Sequence, residues 1–261
     1  MPLLYMVQDY EPGFYPWSSR YMMADSTYRF DIPTYAVINS GILKDFFDRN
    51  DYHFDKVWSF EPVLNDKLAA FLPKDEEVIK KKKEILVYGR PSVDRNAFAL
   101  GGESLKLWAK TMPDAKEWTV YSAGESHNPV DLGEGCVLQS LGKLSLEGYA
   151  NQMLDTYAGL SLMVSPHPSY PPLELSTFGV KTITNRYANK DLSGFNDNLI
   201  TVANCSPRVI AAELCKICQS YAGEGRAAAN TTYAKGGKPF GDVIEQLGEQ
   251  LKAELALSGE D

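Results

Sequence analysis

The stretch ILVYGRPSVDRN, residues 85–96, begins with an unbroken apolar run and ends in a loop carrying two arginines. A strand with one wet face alternates apolar and polar residues. Ile85–Tyr88 does not alternate, so it reads as a strand buried on both faces, the pattern of a parallel sheet covered by helices. The next segment, GGESLKLWAKTM (101–112), places Leu105, Trp108, Ala109 and Met112 on one helical face. The same alternation continues downstream. EWTVYSA (117–123), CVLQSLG (136–142), LSLMVS (160–165), VKTIT (180–184) and NLITV (198–202) read as strands. SLEGYANQMLDTY (145–157), with Leu146, Tyr149, Met153 and Tyr157 inward, PPLELSTFG (171–179) and SPRVIAAELCKICQSY (206–221) read as helices. In the last of these, Ser206 is placed to cap and Pro207 to occupy the first turn. Repeated strand–helix units of this kind predict an α/β fold, Rossmann-like, with a parallel sheet flanked by helices.

Upstream the pattern is thinner. LLYMV (3–7), TYAVIN (34–39) and KVWSF (56–60) read as strands, SGILKDFFDRN (40–50) as a helix capped by Ser40, and VLNDKLAAFL (63–72) as a short helix. The aromatic, Gly- and Pro-rich QDYEPGFYPWSSR (8–20) reads as loop. The charged run PKDEEVIKKKK (73–83) carries no apolar face and marks a boundary. The expected organisation is a partial N-terminal lobe over 1–75, a linker over 76–84, a ligand-binding domain over 85–238 and a C-terminal helix over 239–261. In that helix Val243, Leu247 and Leu251 form a stripe.

Composition narrows the function. A formal net charge of -8 disfavours generic nucleic-acid binding, which needs a basic face. Three histidines are too few for a histidine-rich metal site, and no bound metal or cofactor is expected. Cys136, Cys205, Cys215 and Cys218 read as buried thiols; Cys215 and Cys218, three apart on a helix, are weak evidence for redox chemistry. No signal peptide and no apolar run of membrane-spanning length occur. A cytoplasmic protein, with peripheral association at the inner membrane face, is expected.

In open parallel sheets ligands bind beyond the carboxyl ends of the strands. Four such ends carry candidates. Gly89 lets YGRPSVDRN turn close to a ligand, and the guanidinium forks of Arg90 and Arg95 suit phosphate oxygens or, equally, surface carboxylates. Gly124 in YSAGES leaves room for a planar ring. In SLGKLS (140–145) the backbone around Lys143 and Leu144 suits a nucleobase edge, Lys143 suits a phosphate or solvent, and Ser145 suits a helix cap. In SPHPSYPPLELSTFG, Glu174 sits in the first turn of a short helix. It is either a carboxylate favoured by the helix dipole or an acceptor for sugar hydroxyls; His167 is either a ligand contact or a turn residue. No G-x-G-x-x-G, P-loop or G-x-S-x-G motif is present, which disfavours dinucleotide dehydrogenases, P-loop ATPases and α/β-hydrolases.

These segments together resemble the GT-B glycosyltransferases of the large retaining family 4, and within it the WsaF-like bacterial rhamnosyltransferases of surface-polysaccharide synthesis. YMVQDYEPGFYPWSSRY resembles the end of the acceptor-side lobe, ILVYGRPSVDRNAFALG the first strand and loop of the donor lobe, LGKLSLEGYANQML the base-binding loop, and VSPHPSYPPLELSTFGVKTITN the E-x7-E segment. The resemblance implies a nucleotide-sugar donor (dTDP- or UDP-linked), a glycan or lipid-linked acceptor, and retention of configuration without a metal. It implies Arg90 and Arg95 at the donor diphosphate, where they assist catalysis, and Glu174 at the ribose. With it, Lys143, Leu144, Gly124, His167 and Tyr170, read above or on the same loops, become candidates around the donor. Asp9, as a catalytic candidate, and Glu11 border the acceptor cleft or form a solvated turn. One departure stands out. The first glutamate of the pair falls on Pro166, or on His167 with a slip of one, so the sugar contact must come from backbone or Tyr170. Most of an acceptor lobe would lie upstream of Met1, so the chain reads as a fragment, a truncation or a misplaced start. A non-catalytic nucleotide-sugar-binding module, and an unrelated α/β enzyme acting on sugar phosphates, are the alternatives.

Overall fold

The structure, a computed structural model, describes residues 2–74, 77–221, 225–230, 233 and 240–257. The chain divides into two compact units, Met1–Val63 with Gly236–Asp261, and Leu64–Lys235.

The smaller unit holds β1 (Leu3–Val7), α1 (Ser19–Ser26), β2 (Thr34–Asn39), α2 (Gly41–Arg49) and β3 (Lys56–Phe60). The three strands pair in parallel in the order β1-β2-β3. Ser40 caps α2 as expected, its hydroxyl accepting from the Leu43 amide at 3.1 Å. Leu43 and Phe47 then pack with Val7, Ala36 and Ile38 and with the rings of Tyr10, Tyr28, Tyr52 and Phe54. The Tyr10 hydroxyl meets those of Tyr21 (3.0 Å) and Tyr52 (2.8 Å), and Tyr52 donates to Asp25, so the phenols of this core find partners. On the opposite sheet face the C-terminal helix lays Val243, Leu247 and Leu251 against Val37, Trp58 and Phe60.

The larger unit begins with α3 (Asp66–Ala69) and β4 (Val78–Gly89). The segment expected as a linker, 76–84, is therefore strand from Val78 onward, and the division between units falls at Val63/Leu64 instead. The reason is tertiary. Val78–Lys81 pair antiparallel with a late strand, and Lys81, 1% exposed, donates from Nζ to the carbonyls of Met153 (2.7 Å) and Phe178 (2.8 Å). The other expected boundary, at 238, lies outside the described residues.

There follow α4 (Phe98–Thr111), β5 (Thr119–Gly124), β6 (Val130–Gly133), β7 (Cys136–Gly142), α5 (Leu146–Asp155), β8 (Thr156–Leu160), α6 (Tyr170–Thr177), β9 (Lys181–Asn185), β10 (Leu199–Val202), α7 (Pro207–Gln219) and β11 (Gly225–Ala228). The C-terminal helix of the smaller unit, Phe240–Leu257, is α8. The sheet order is β10-β9-β8-β4-β5-β7-β6, with β11 on β4; all pairings are parallel except those of β6 and β11. From β4 the chain steps outward through β5 to β7. It then returns to place β8 on the other side of β4, so the order reverses between β4 and β8. That is the doubly wound arrangement, whose ligand crevice lies at the reversal, beyond the strand carboxyl ends.

Helices α4 and α7 cover one sheet face. Leu105, Trp108, Ile210 and Leu214 pack on Ile85, Val87, Val120, Leu138 and Ile183, all at most 5% exposed. At ~1.5–3 kcal/mol for each large apolar side chain buried, this layer dominates the unit's stability. Two sequence expectations shift. LSLMVS does not form the strand; β8 is the preceding TYAGL, so Tyr157 belongs to β8 and not to the helix before it. Leu146, expected inward, is 41% exposed.

Candidate functional site

The carboxyl ends of β4, β5 and β7 are tied together by their own loops. Gly89 and Gly124 are register partners on β4 and β5, and the Glu125 amide donates to the Gly89 carbonyl at 3.0 Å. Gly124 has φ of +134°, and a Cβ there would stand 2.7 Å from the Gly89 oxygen and 3.1 Å from Arg90 Cγ. Only glycine admits both that backbone and the arginine stem beside it. The Glu125 carboxylate accepts from the Ser92 amide (3.1 Å) and hydroxyl (2.7 Å), which fixes the loop after β4. These bonds, first the Ser92 hydroxyl and then its amide, with the nearby Arg90 charge, hold the Glu125 carboxyl below its ordinary range. Ser140 joins the third strand end. Its hydroxyl donates to the Glu125 carbonyl (3.3 Å) and accepts from the amides of His127 and Gly142, each at 3.2 Å.

Over these ends lies an open cavity of about 370 Å³. Tyr88, Arg90, Ala123 and Gly124 form one wall; Lys143, Leu144, Ser145, Leu146 and Tyr149 form the other. Ser145 caps α5, accepting from the Gly148 amide at 3.0 Å, so the loop Lys143–Ser145 hands directly into the helix that delivers Tyr149. Two cations, a glycine shelf and a loop of backbone amides thus share one space. That arrangement suits a phosphorylated ligand with a planar group.

The loop after β8 completes the rim. It runs buried from Ser161 to Met163, and its backbone is satisfied largely by side chains. The Met163 amide donates to Asn185 Oδ1 (2.8 Å), while the Met163 carbonyl accepts from Asn185 Nδ2 (3.1 Å) and from Lys190 Nζ (2.6 Å). The Val164 amide donates to the Arg95 carbonyl at 2.7 Å, joining this loop to the arginine loop. Farther along, the Ser169 amide donates to His167 Nδ1 at 3.0 Å, so a neutral His167 carries its proton on Nε2. Tyr170 opens α6, its ring 5.8 Å from that of His167. Glu174 follows on α6, but not in the expected first turn: the helix starts at Tyr170 and its first turn holds no acidic residue, so the dipole reading of Glu174 fails. Burial pushes its carboxyl up to about 7, opposed by the Tyr149 hydroxyl next to it.

The expected residues therefore divide. Arg90, Gly124, Lys143 and Leu144 line the cavity. Glu174 stands behind Tyr149 on the same rim. Arg95 lies in the turn Asp94–Asn96, outside the cavity lining, with its carbonyl on the loop after β8. His167 and Tyr170 sit at the start of α6. Asp9 and Glu11 belong to the smaller unit. Asp9 is 8% exposed and accepts from the Tyr10 amide at 2.8 Å, and the Glu11 amide donates to the Tyr28 hydroxyl at 3.3 Å. Three residues not singled out in the sequence matter here: Tyr88, Ser140 and Tyr149. A tyrosine ending a buried strand before Gly-Arg was a usable signal for Tyr88; nothing local distinguished the other two.

Residues 83–215 match the family model described as the WsaF C-terminal domain, and residues 1–41 that of the WsaF N-terminal domain. The chain belongs to the WsaF family. Among curated relatives of this WsaF-family chain is the O-antigen biosynthesis protein RfbC of Myxococcus xanthus, 31% identical over 182 residues, which are 69% of this chain and 14% of RfbC. Among solved structures it is similar to WaaG, a glycosyltransferase involved in lipopolysaccharide biosynthesis. That likeness has a TM-score of 0.57 and 16% identity, over 84% of this chain and 67% of WaaG. It is also similar to a TarM variant of S. aureus in complex with fondaparinux, α-GlcNAc-glycerol and UDP. Here the TM-score is 0.52 and identity 12%, over 80% of this chain and 47% of TarM. These structural likenesses carry the fold, that of GT-B glycosyltransferases.

Proposed function

We propose that this chain supplies the donor-binding part of a glycosyltransferase of surface-polysaccharide synthesis, moving rhamnose from dTDP-rhamnose to a growing, lipid-linked glycan at the inner membrane face. The carrying observation is the cavity beyond the carboxyl ends of β4, β5 and β7, where Arg90 and Lys143 line one space with Gly124. The names of RfbC and WaaG support the polysaccharide assignment, and UDP in the TarM complex supports a nucleoside diphosphate.

In this reading Arg90 and Lys143 hold the diphosphate and stabilise the negative charge that grows on it as the glycosidic bond breaks. Those cations do work that a bound divalent metal performs elsewhere. The backbone of Lys143 and Leu144 meets the base edge, and Glu174 accepts from the ribose. With proline at 166, no carboxylate stands at the first position of the E-x7-E pattern. The sugar then rests on the loop 163–169 and Tyr170, an arrangement that suits a deoxy sugar with fewer hydroxyls to bind. Retention follows a front-face route, in which the departing phosphate takes the proton of the acceptor hydroxyl.

Calorimetric titration with dTDP, dTMP, thymidine and rhamnose 1-phosphate tests this. The expected order is dTDP over dTMP over thymidine, with at least tenfold between the first two. Binding of rhamnose 1-phosphate with no binding of any nucleotide would assign the chain to sugar-phosphate chemistry and refute the proposal. Turnover of dTDP-rhamnose with a glycan acceptor tests transfer separately from binding.

A further inference from the structure

Behind the cavity, the first turn of α5 and the middle of α6 bring a phenol and a carboxyl together. Tyr149 lines the cavity, and its hydroxyl oxygen is buried and, among the described residues, has no partner of full hydrogen-bonding geometry. Glu174 is its neighbour: a hydroxyl–carboxyl interaction between the two raises the proton affinity of the phenol and lowers that of the carboxyl, but its geometry falls short of a well-formed hydrogen bond. Among the described residues no cation perturbs either group. Tyr88 faces Tyr149 from β4, Tyr233 faces Glu174 from beyond β11, and Tyr170 on α6 faces Tyr233. The cations Arg90 and Lys143 lie on the cavity side.

An orphaned buried hydroxyl is costly, about 1–3 kcal/mol, unless another state of the site gives it a partner. The adjacent acceptor is the Glu174 carboxylate. A sugar hydroxyl donates more strongly to the ionised carboxylate, which accepts at both oxygens, than to the protonated carboxyl, whose O–H is itself a donor. Donation by Tyr149 to the same group stabilises that charged form.

We infer that Tyr149 is a positioning residue for Glu174, its hydroxyl held ready to donate to the carboxylate when a nucleotide sugar engages it. This rests on the reading of Glu174 as the ribose acceptor. Ligand binding at this rim is then coupled to loss of a proton from Glu174, and Tyr149 sets the pH at which the coupling occurs. Burial pushes the Glu174 carboxyl up to about 7 and the Tyr149 hydroxyl acts against that rise, so removing the hydroxyl moves the titration to higher pH.

The test is calorimetric binding of dTDP-glucose and UDP-glucose from pH 5.5 to 8.5, because their doubly esterified diphosphates do not titrate in that range. In the unsubstituted protein, affinity rises with pH through about 7 and levels off. Tyr149→Phe keeps the ring, and with it the packing of α5. It is expected to shift the midpoint upward by about half a pH unit or more. Affinity then falls roughly threefold at pH 6.5, with values at pH 8.5 within about twofold of the original. Glu174→Gln removes the pH dependence. A uniform loss at every pH in Tyr149→Phe would make the phenol merely structural and overturn the inference, as would an unmoved profile. Failure of the unsubstituted protein to bind either probe at any pH would instead overturn the function proposed above, and this inference with it.

Discussion

Lys81→Met separates two opposing effects in the larger unit. Lys81 is an ammonium-bearing side chain closed inside the sheet layer, and burial lowers its pKa from 10.5 to about 7, against a smaller opposing pull from Asp155. The unfolded chain therefore holds a proton more tightly than the folded one between these values, and stability rises as pH rises through the interval. Below pH 7 the full charging cost applies, on the order of 4–5 kcal/mol at ~1.4 kcal/mol for each tenfold difference in proton affinity. Between pH 6.5 and 9 about 2.5 kcal/mol of it is relieved. Methionine has the length to fill the space and no proton to exchange, but it leaves the Met153 and Phe178 carbonyls without their donor, at about 1–3 kcal/mol each. Near pH 6.5 the two effects roughly offset. At pH 9 the variant falls behind by about 2.5 kcal/mol more than it does at pH 6.5. Urea titrations read by hydrogen exchange at the β4 and β5 amides report on this unit alone. A difference between the two proteins that stays constant from pH 6.5 to 9 would refute the argument.

Two further outcomes follow from the rim. Gly124→Ala forces a Cβ against the Gly89 oxygen at a backbone angle that alanine resists, and is expected to cost about 1–3 kcal/mol in thermal unfolding. Because that Cβ also meets Arg90, dTDP binding falls more than thymidine binding; equal losses count against the role given to Arg90. Arg90→Ala should weaken dTDP at least tenfold while sparing thymidine, and Arg95→Ala should do less, since only Arg90 lines the cavity. A larger effect at Arg95 in the same titrations would reverse their assignment.

The alternation of strands and helices was legible because the buried strands are continuous apolar runs and because Ser40, Ser145 and Ser206 stand where helices begin; all three accept from the third amide onward. What escaped was decided by distant partners. The lysine run before Ile85 forms strand because β11 pairs with it and two helix ends receive Lys81, facts with no local trace. The apolar LSLMV looks like strand, yet beyond Ser161 its backbone bonds to the side chains of Asn185 and Lys190. The arginines, Lys143 and Glu174 were legible as strand-end polar groups. Tyr149 was not, since its helical spacing is that of any core residue and its meaning comes from a carboxyl on another helix.

The single hydroxyl of Ser140 makes three bonds, two to the loop after β5 at Glu125 and His127 and one to the end of β7 at Gly142, and so ties the two together through one oxygen. A receptor whose rim is already rigid loses little conformational freedom on capture, so more of the intrinsic attraction survives as affinity. On the proposed function, Ser140 would raise the affinity for the donor from outside the cavity lining.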